Sequence, residues 1–183
     1  MPERNHAMPQ TEPLRPMVYA ALFIALISVG AWIAIPVGPV PIVLQNMFVL
    51  LAGLLLGPGW GAACVAVYLL VGLAGLPVFA GGTAGIGKLF GPTGGYLLGY
   101  LPAVVVTGAI SRIFGKTSLG DILAMTAGTL VIYAAGVPWL KIVFSISWGK
   151  AVSAGMIPFI LGDALKIAAA AVIAKKIRPL VRL

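Results

Sequence analysis

Residues 16–87 read PMVYAALFIALISVGAWIAIPVGPVPIVLQNMFVLLAGLLLGPGWGAACVAVYLLVGLAGLPVFAGGTAGIG and contain no Lys, Arg, Asp or Glu. One membrane crossing needs ~20 predominantly apolar residues, so a charge-free run of this length suffices for several. The rest of the chain agrees: 61% of the 183 residues are hydrophobic and 9% are charged, whereas a soluble domain carries about a quarter charged residues. Lipid is therefore the expected solvent. The polar, proline-bearing residues 1–15, MPERNHAMPQTEPLR, form an expected disordered tail. The apolar run behind it is too long for the h-region of a signal peptide, and no small-x-small cleavage site follows. Residues 16–183 read as a single domain.

Pro and Gly divide the apolar mass, because they remove backbone donors or permit turns. Six helices are expected, over residues 17–35, 41–56, 60–75, 95–113, 119–136 and 156–177. The fold class is thus all-α: an integral membrane bundle of six transmembrane helices. The turns are PVGPVP, GPG, a long glycine-rich stretch, FGKTS, and a connection running from Lys141 to Gly155. At ~1.5 Å per residue the second and third helices span only about 24 Å, short of a ~30 Å hydrocarbon core. Tilt or partial re-entry is expected there, and irregular backbone at membrane depth points to a cavity nearby.

Six crossings put both termini on one side, and charge selects it. Arg4, Arg15, Arg112, Lys116, Lys175, Lys176, Arg178 and Arg182 fall on the terminal side, against Lys88, Lys141 and Lys150 on the other. Positive residues collect in the cytoplasm, so the N- and C-termini are expected inside a cell membrane. This distribution accounts for the net charge of +8 without nucleic acid. PVGPVP, the glycine-rich stretch, the Lys141–Gly155 connection and the start of the last helix then face outward, and any ligand they hold comes from outside the cell.

Outside the tail the acidic residues are Asp121 and Asp163. Asp121 falls at a predicted helix N-terminus, where the helix dipole favours it and capping is the expected role. Asp163 lies in IPFILGDALKIAAAAVIA, with Lys166 on the same helix face by its i,i+3 spacing. Each ionisable group in a membrane helix costs about 2.5–3.5 kcal/mol on insertion scales, so such groups serve function or neutralise one another. The residues alone leave open a simple intrahelical ion pair or an amphoteric ligand site, with Asp163 accepting from N–H donors and Lys166 meeting a carboxylate.

The segment GGTAGIGKLFGPTGG includes GxxxxGK from Gly82 to Lys88, most of a phosphate-binding loop. Leu89 stands where Ser or Thr would hold magnesium, no second acidic ligand is available, and the loop is expected outside, where ATP is scarce. Nucleotide binding is set aside, and no metal site is expected. The glycines either make a plain connector or fold tightly over a small ligand, with backbone N–H and C=O groups providing recognition. Ala21 and Ala25 have the small-xxx-small spacing that allows close helix approach. Trp32, Trp60, Trp139 and Trp148 fall near predicted helix ends, as interfacial anchors do. Cys64 reads as a buried inert thiol. The one histidine, His6, is in the tail and no two carboxylates fall together, so no catalytic set is visible and no enzyme is expected.

Three segments in order, VGPVPIVLQ, GLPVFAGGTAGIGKLFGPTGGYLLGY and LGDALK, closely resemble the BioY family, the biotin-specific substrate-binding subunits (S components) of energy-coupling-factor (ECF) transporters. The similarity runs from about residue 16 to residue 179. The resemblance implies a six-helix S-component fold, biotin capture at the outer side, and coupling to a transmembrane partner with two cytoplasmic ABC-type ATPases; biotin is then cargo, and no cofactor is implied. The family's acid and lysine in the last helix fall on Asp163 and Lys166: the acid suits a ureido N–H, the lysine the carboxylate or the ureido oxygen. Thr83 stands for the polar contact of the glycine-rich loop, Phe79, Gly81, Gly82 and Tyr96 would line or cap the pocket, and Gln45 is a further polar candidate. Ala21 and Ala25 fall where S components present small residues to the membrane partner. Lys88 departs from the usually neutral loop; it would guide an anionic substrate or simply face water, and water is the favoured reading. A self-sufficient transporter needing no ATPase, or an assembly protein whose ion pair merely neutralises itself, remain as alternatives.

Overall fold

The computed structural model describes residues 14–115 and 117–181. In chain order its elements are α1 (Leu14–Trp32), strands β1 (Ala34–Ile35) and β2 (Ile42–Val43), α2 (Gln45–Leu73), α3 (Gly87–Phe90), α4 (Gly94–Ile113), α5 (Ser118–Phe144), α6 (Trp148–Gly155) and α7 (Ile157–Ile177). Five stretches are long and apolar enough to cross a membrane: α1, α2, α4, α5 and the run from Trp148 to Ile177. Helices suit such sequence because lipid offers no partner for a free N–H or C=O, and a helix satisfies both within itself.

α2 is folded back on itself. Gly57 adopts φ 78° and ψ 179°, and Pro58 follows. The halves, residues 45–56 and 58–73, lie antiparallel: the Gln45 side chain reaches the Tyr68 hydroxyl at 2.7 Å, although a straight helix would separate these residues by about 35 Å. Glycine is favoured at the turn for its positive φ. The GPG break thus falls where expected.

Other boundaries differ. PVGPVP is a turn, but Ala34 pairs with Val43 and Ile35 with Ile42 in a small antiparallel ladder, which delays the second helix from residue 41 to Gln45. α1 begins at Leu14, inside the expected tail; residues 1–13, with Arg4 and His6, lie outside the described residues, as do Lys116 and Arg182. α5 does not stop at residue 136 but continues through Pro138 to Phe144, and α6 fills much of the expected Lys141–Gly155 connection. A proline removes one intrahelical donor, a small loss beside the packing gained: Leu140 is fully buried, and Trp139 Nε1 donates to the Gly91 carbonyl at 2.9 Å. Trp139 is therefore an internal tie and not a helix-end anchor. Trp60 lies just past the α2 turn, while Trp32 ends α1 and Trp148 begins α6.

α4 packs between α2 and α5, α1 lies on α2, and α7 lies against α2 and α5. The buried face of α1 carries Ala20, Phe23, Ile27 and Ala31, while Val18, Leu22 and Val29 point outward, an apolar exterior suited to lipid. Cys64 is buried at the α1–α2 contact, its thiol against the Ala20 carbonyl. The Tyr19 hydroxyl donates to the Leu180 carbonyl at 3.0 Å, so the two described chain ends share one end of the bundle. There Asp121, fully buried, accepts from Arg178 Nη2 at 2.8 Å and from Ser111 Oγ at 3.0 Å. It is not the cap: Thr117 caps α5, its hydroxyl accepting from the Gly120 N–H. Asp121 instead ties α4, α5 and the end of α7 together.

Candidate functional site

At the opposite end, the first turns of α2, α4 and α7, the middle of α5 and the loop after α2 enclose a cavity of ≈ 250 Å³. Asp163, 5% exposed, stands on its wall. Its Oδ1 accepts from Lys166 Nζ at 2.9 Å and from Asn46 Nδ2 at 2.9 Å, and its Oδ2 accepts from the Tyr133 hydroxyl at 2.5 Å. Lys166 Nζ also donates to Asn46 Oδ1 at 3.2 Å, so the charges on either side orient the Asn46 amide. A carboxylate offers about four lone-pair sites and an ammonium three protons. With three donors on Asp163 and two acceptors on Lys166, about one acceptor site and one donor remain side by side.

Gln45 contributes a third polar group. The Tyr68 hydroxyl commits its proton to the Val78 carbonyl at 2.8 Å, so it must accept from Gln45, which fixes Nε2 toward Tyr68 at 2.7 Å. That orientation leaves the Gln45 carbonyl oxygen as the end without a hydrogen-bond partner among the described residues. Thr129 also lines the cavity, and its buried hydroxyl has no hydrogen-bond partner among the described residues.

The remaining wall is apolar. The Tyr96 hydroxyl is spent on the Gly155 carbonyl at 2.7 Å, so this residue offers its ring. Phe79, 1% exposed, stacks edge-on against Tyr68 with centroids 5.7 Å apart. Glycines make these seats: a Cβ at Gly136 would collide with the Tyr96 ring, and one at Gly72 with the Phe79 ring. Tyr100, Ile132 and Phe159 complete this surface. Such a mix of apolar walls and a few convergent polar groups is what small-molecule pockets present.

Of the residues expected from the sequence, Asp163, Lys166, Gln45, Phe79, Tyr96 and Thr83 line the cavity, whereas Gly81 and Gly82 do not. Those glycines turn the loop, with φ of 69° and 72°, so that Phe79 and Thr83 pair across it. Around them the loop N–H groups are bonded within the chain. Gly81 donates to the Ala31 carbonyl, Gly82 and Thr83 to Phe79, and Gly85 to Gly72, while the Thr83 hydroxyl donates to the Ala80 carbonyl. Lys88 lines the cavity and is half-buried. Asn46, Tyr133, Tyr100 and Thr129 were not singled out from the sequence. Asn46 carried a signal, being an uncharged polar side chain inside an apolar run, where burial without a partner is costly. The tyrosines and Thr129 carried none.

The BioY family model matches residues 4–183. The biotin transporter BioY of Thermotoga maritima is 44% identical over 168 residues, covering 91% of this chain and 98% of its own length. A probable biotin transporter BioY of Pyrococcus horikoshii is 42% identical over 158 residues, covering 86% of this chain and 93% of its own. Among solved structures, the S-component for biotin from an ECF-type ABC transporter superposes with a TM-score of 0.87 at 30% identity, over 94% of this chain and 95% of that one. With a family model spanning nearly the whole sequence and relatives of this identity, the chain belongs to the BioY family.

Proposed function

We propose that this chain is a biotin-binding S component, taking up biotin with an ECF-type transmembrane coupling subunit and two cytoplasmic ABC-type ATPases. The observation that carries the reading is the Asp163–Lys166 pair on the cavity wall, which keeps an acceptor beside a donor. A ureido group presents an N–H beside a C=O and complements that pair, while the aromatic wall suits a fused apolar ring system. Asn46 and Tyr133 hold the carboxylate in position, and Gln45 and Thr129 offer further contacts. The relatives are transporters, and the chemistry proposed here is binding, not catalysis.

Counting the two halves of α2 separately yields six crossings, with both termini cytoplasmic. The positive residues Arg112, Lys175, Lys176 and Arg178 lie toward the end that also holds the described termini, which supports that orientation in the plasma membrane. The cavity then opens outward. Ala21 and Ala25 are exposed on the outer face of α1, where small side chains permit a partner helix to approach closely. Energy comes from the partner: around the GxxxxGK fragment the N–H groups of Gly82, Thr83, Gly85 and Lys88 are already bonded within the chain.

The test is equilibrium binding of biotin to the detergent-purified chain. Saturable binding at about one site per chain supports the reading; folded protein that binds none overturns it. Uptake assayed with and without the ATPase module then separates a coupled subunit from a self-sufficient carrier.

A further inference from the structure

Among the described residues, three side chains of the acidic or basic types line the cavity: Asp163, Lys166 and Lys88. The first two form an ion pair at 2.9 Å and cancel. Among the described residues Lys88 has no such partner. The acidic groups among the described residues are Asp121 and Asp163, and these pair with Arg178 and Lys166. Lys88 therefore leaves the cavity wall with one uncompensated positive charge, half-buried against apolar surface, where an ammonium gains most from an arriving anion.

The two lysines are not equivalent receptors. A carboxylate brought to Lys166 would come to rest beside Asp163 Oδ1, itself 2.9 Å from Nζ, and like charges sharing a site repel. Among the described residues no carboxylate pairs with Lys88. Lys88 sits on α3 between Ile86 and Phe90, which are 65% and 70% exposed. Its position is held by the chain around it: its own N–H donates to the Gly85 carbonyl at 3.1 Å, and Trp139 pins Gly91 just beyond α3.

We propose that Lys88 receives the ligand's carboxylate, so that a monoanionic ligand lies with its ureido head on the Asp163–Asn46–Tyr133 network and its acid tail at the cavity mouth. The proposal rests on the biotin-binding reading above and adds to it an orientation and a discriminating residue. Lys88 makes the site select an acid over its neutral derivatives, because only the acid neutralises the charge at the rim.

The experiment compares biotin with its uncharged primary carboxamide on the purified full chain and on Lys88→Met and Lys88→Arg, with thermal unfolding recorded for each. The unaltered chain is expected to bind biotin about tenfold more tightly than the carboxamide. Lys88→Met should lose that preference by weakening biotin about tenfold while leaving the carboxamide within about twofold, and Lys88→Arg should restore most of it. Equal affinity of the unaltered chain for both ligands overturns the assignment without recourse to any variant. So does a Lys88→Met protein that weakens both ligands alike or neither; each of these results leaves biotin binding itself standing. Failure of the folded, unaltered chain to bind either ligand overturns the binding reading and this proposal with it.

Discussion

Among the described residues two carboxylates are buried, each against a cation, and the two pairs have opposite surroundings. Asp163 and Lys166 sit on one face of α7, 2.9 Å apart, on the wall of a ≈ 250 Å³ cavity. Asp121 and Arg178 meet at 2.8 Å across α5 and the end of α7, in a contact with no part in that cavity. Along α7 they lie about 22 Å apart, at ~1.5 Å per residue. The first pair is local: a helix brings residues three apart together without help, and the cavity leaves part of its hydrogen-bonding capacity open. The second is made by tertiary structure and uses its charges to join elements. A buried ion pair on its own says little about function; what matters is whether space adjoins it.

The comparison breaks most readily at Arg178. Arg178→Met strands the fully buried Asp121 charge and should destabilise the protein by about 3–5 kcal/mol, read as a lowered unfolding temperature in detergent. Asp121→Leu combined with Arg178→Met removes both charges and should recover much of that loss, while folded protein keeps its affinity for biotin. An unchanged unfolding temperature for the single variant would mean that the pair is not a tie. Gly72→Ala comes next, at about 1–3 kcal/mol, because the new methyl must displace the Phe79 ring; biotin binding should weaken with it, since Phe79 forms part of the wall.

At the cavity the effect should move from stability to affinity. Asp163→Asn and Lys166→Ala are each expected to weaken biotin binding at least about tenfold, about 1.4 kcal/mol. Calorimetry showing near-normal binding by both folded variants would reduce this pair to the same structural status as the other. The smallest effect is expected for Tyr133→Phe, which removes one hydrogen bond to Asp163 and should cost about 0.5–1.5 kcal/mol in affinity. A loss as large as that of Asp163→Asn would place Tyr133 in direct contact with the ligand.

Much of this was legible in the sequence, and unevenly. Asp163 and Lys166 stood out because charge in an apolar helix is costly and their spacing alone puts them together. The GPG turn was visible because a proline after a glycine interrupts the helical ladder. Asp121 misled for the same local reason: first-turn position suggests a cap, but its partner Arg178 is 57 residues away. Pro138 misled too, since local propensity favours stopping a helix that the burial of Leu140 and the Trp139 tie sustain.

The sequence by itself determined that the chain belongs in lipid, that it is helical, and that Asp163 and Lys166 share a face. These follow from transfer energies and helical periodicity, which act over a few residues at a time. Only the tertiary structure decided that Asn46 and Tyr133, 117 and 30 residues from Asp163, complete its hydrogen bonds. It alone decided that Lys88 joins the cavity wall, and that glycines beneath Phe79 and Tyr96 set the shape of the wall. Those outcomes depend on which helices pack together and how closely, and neither quantity is encoded in any single local stretch.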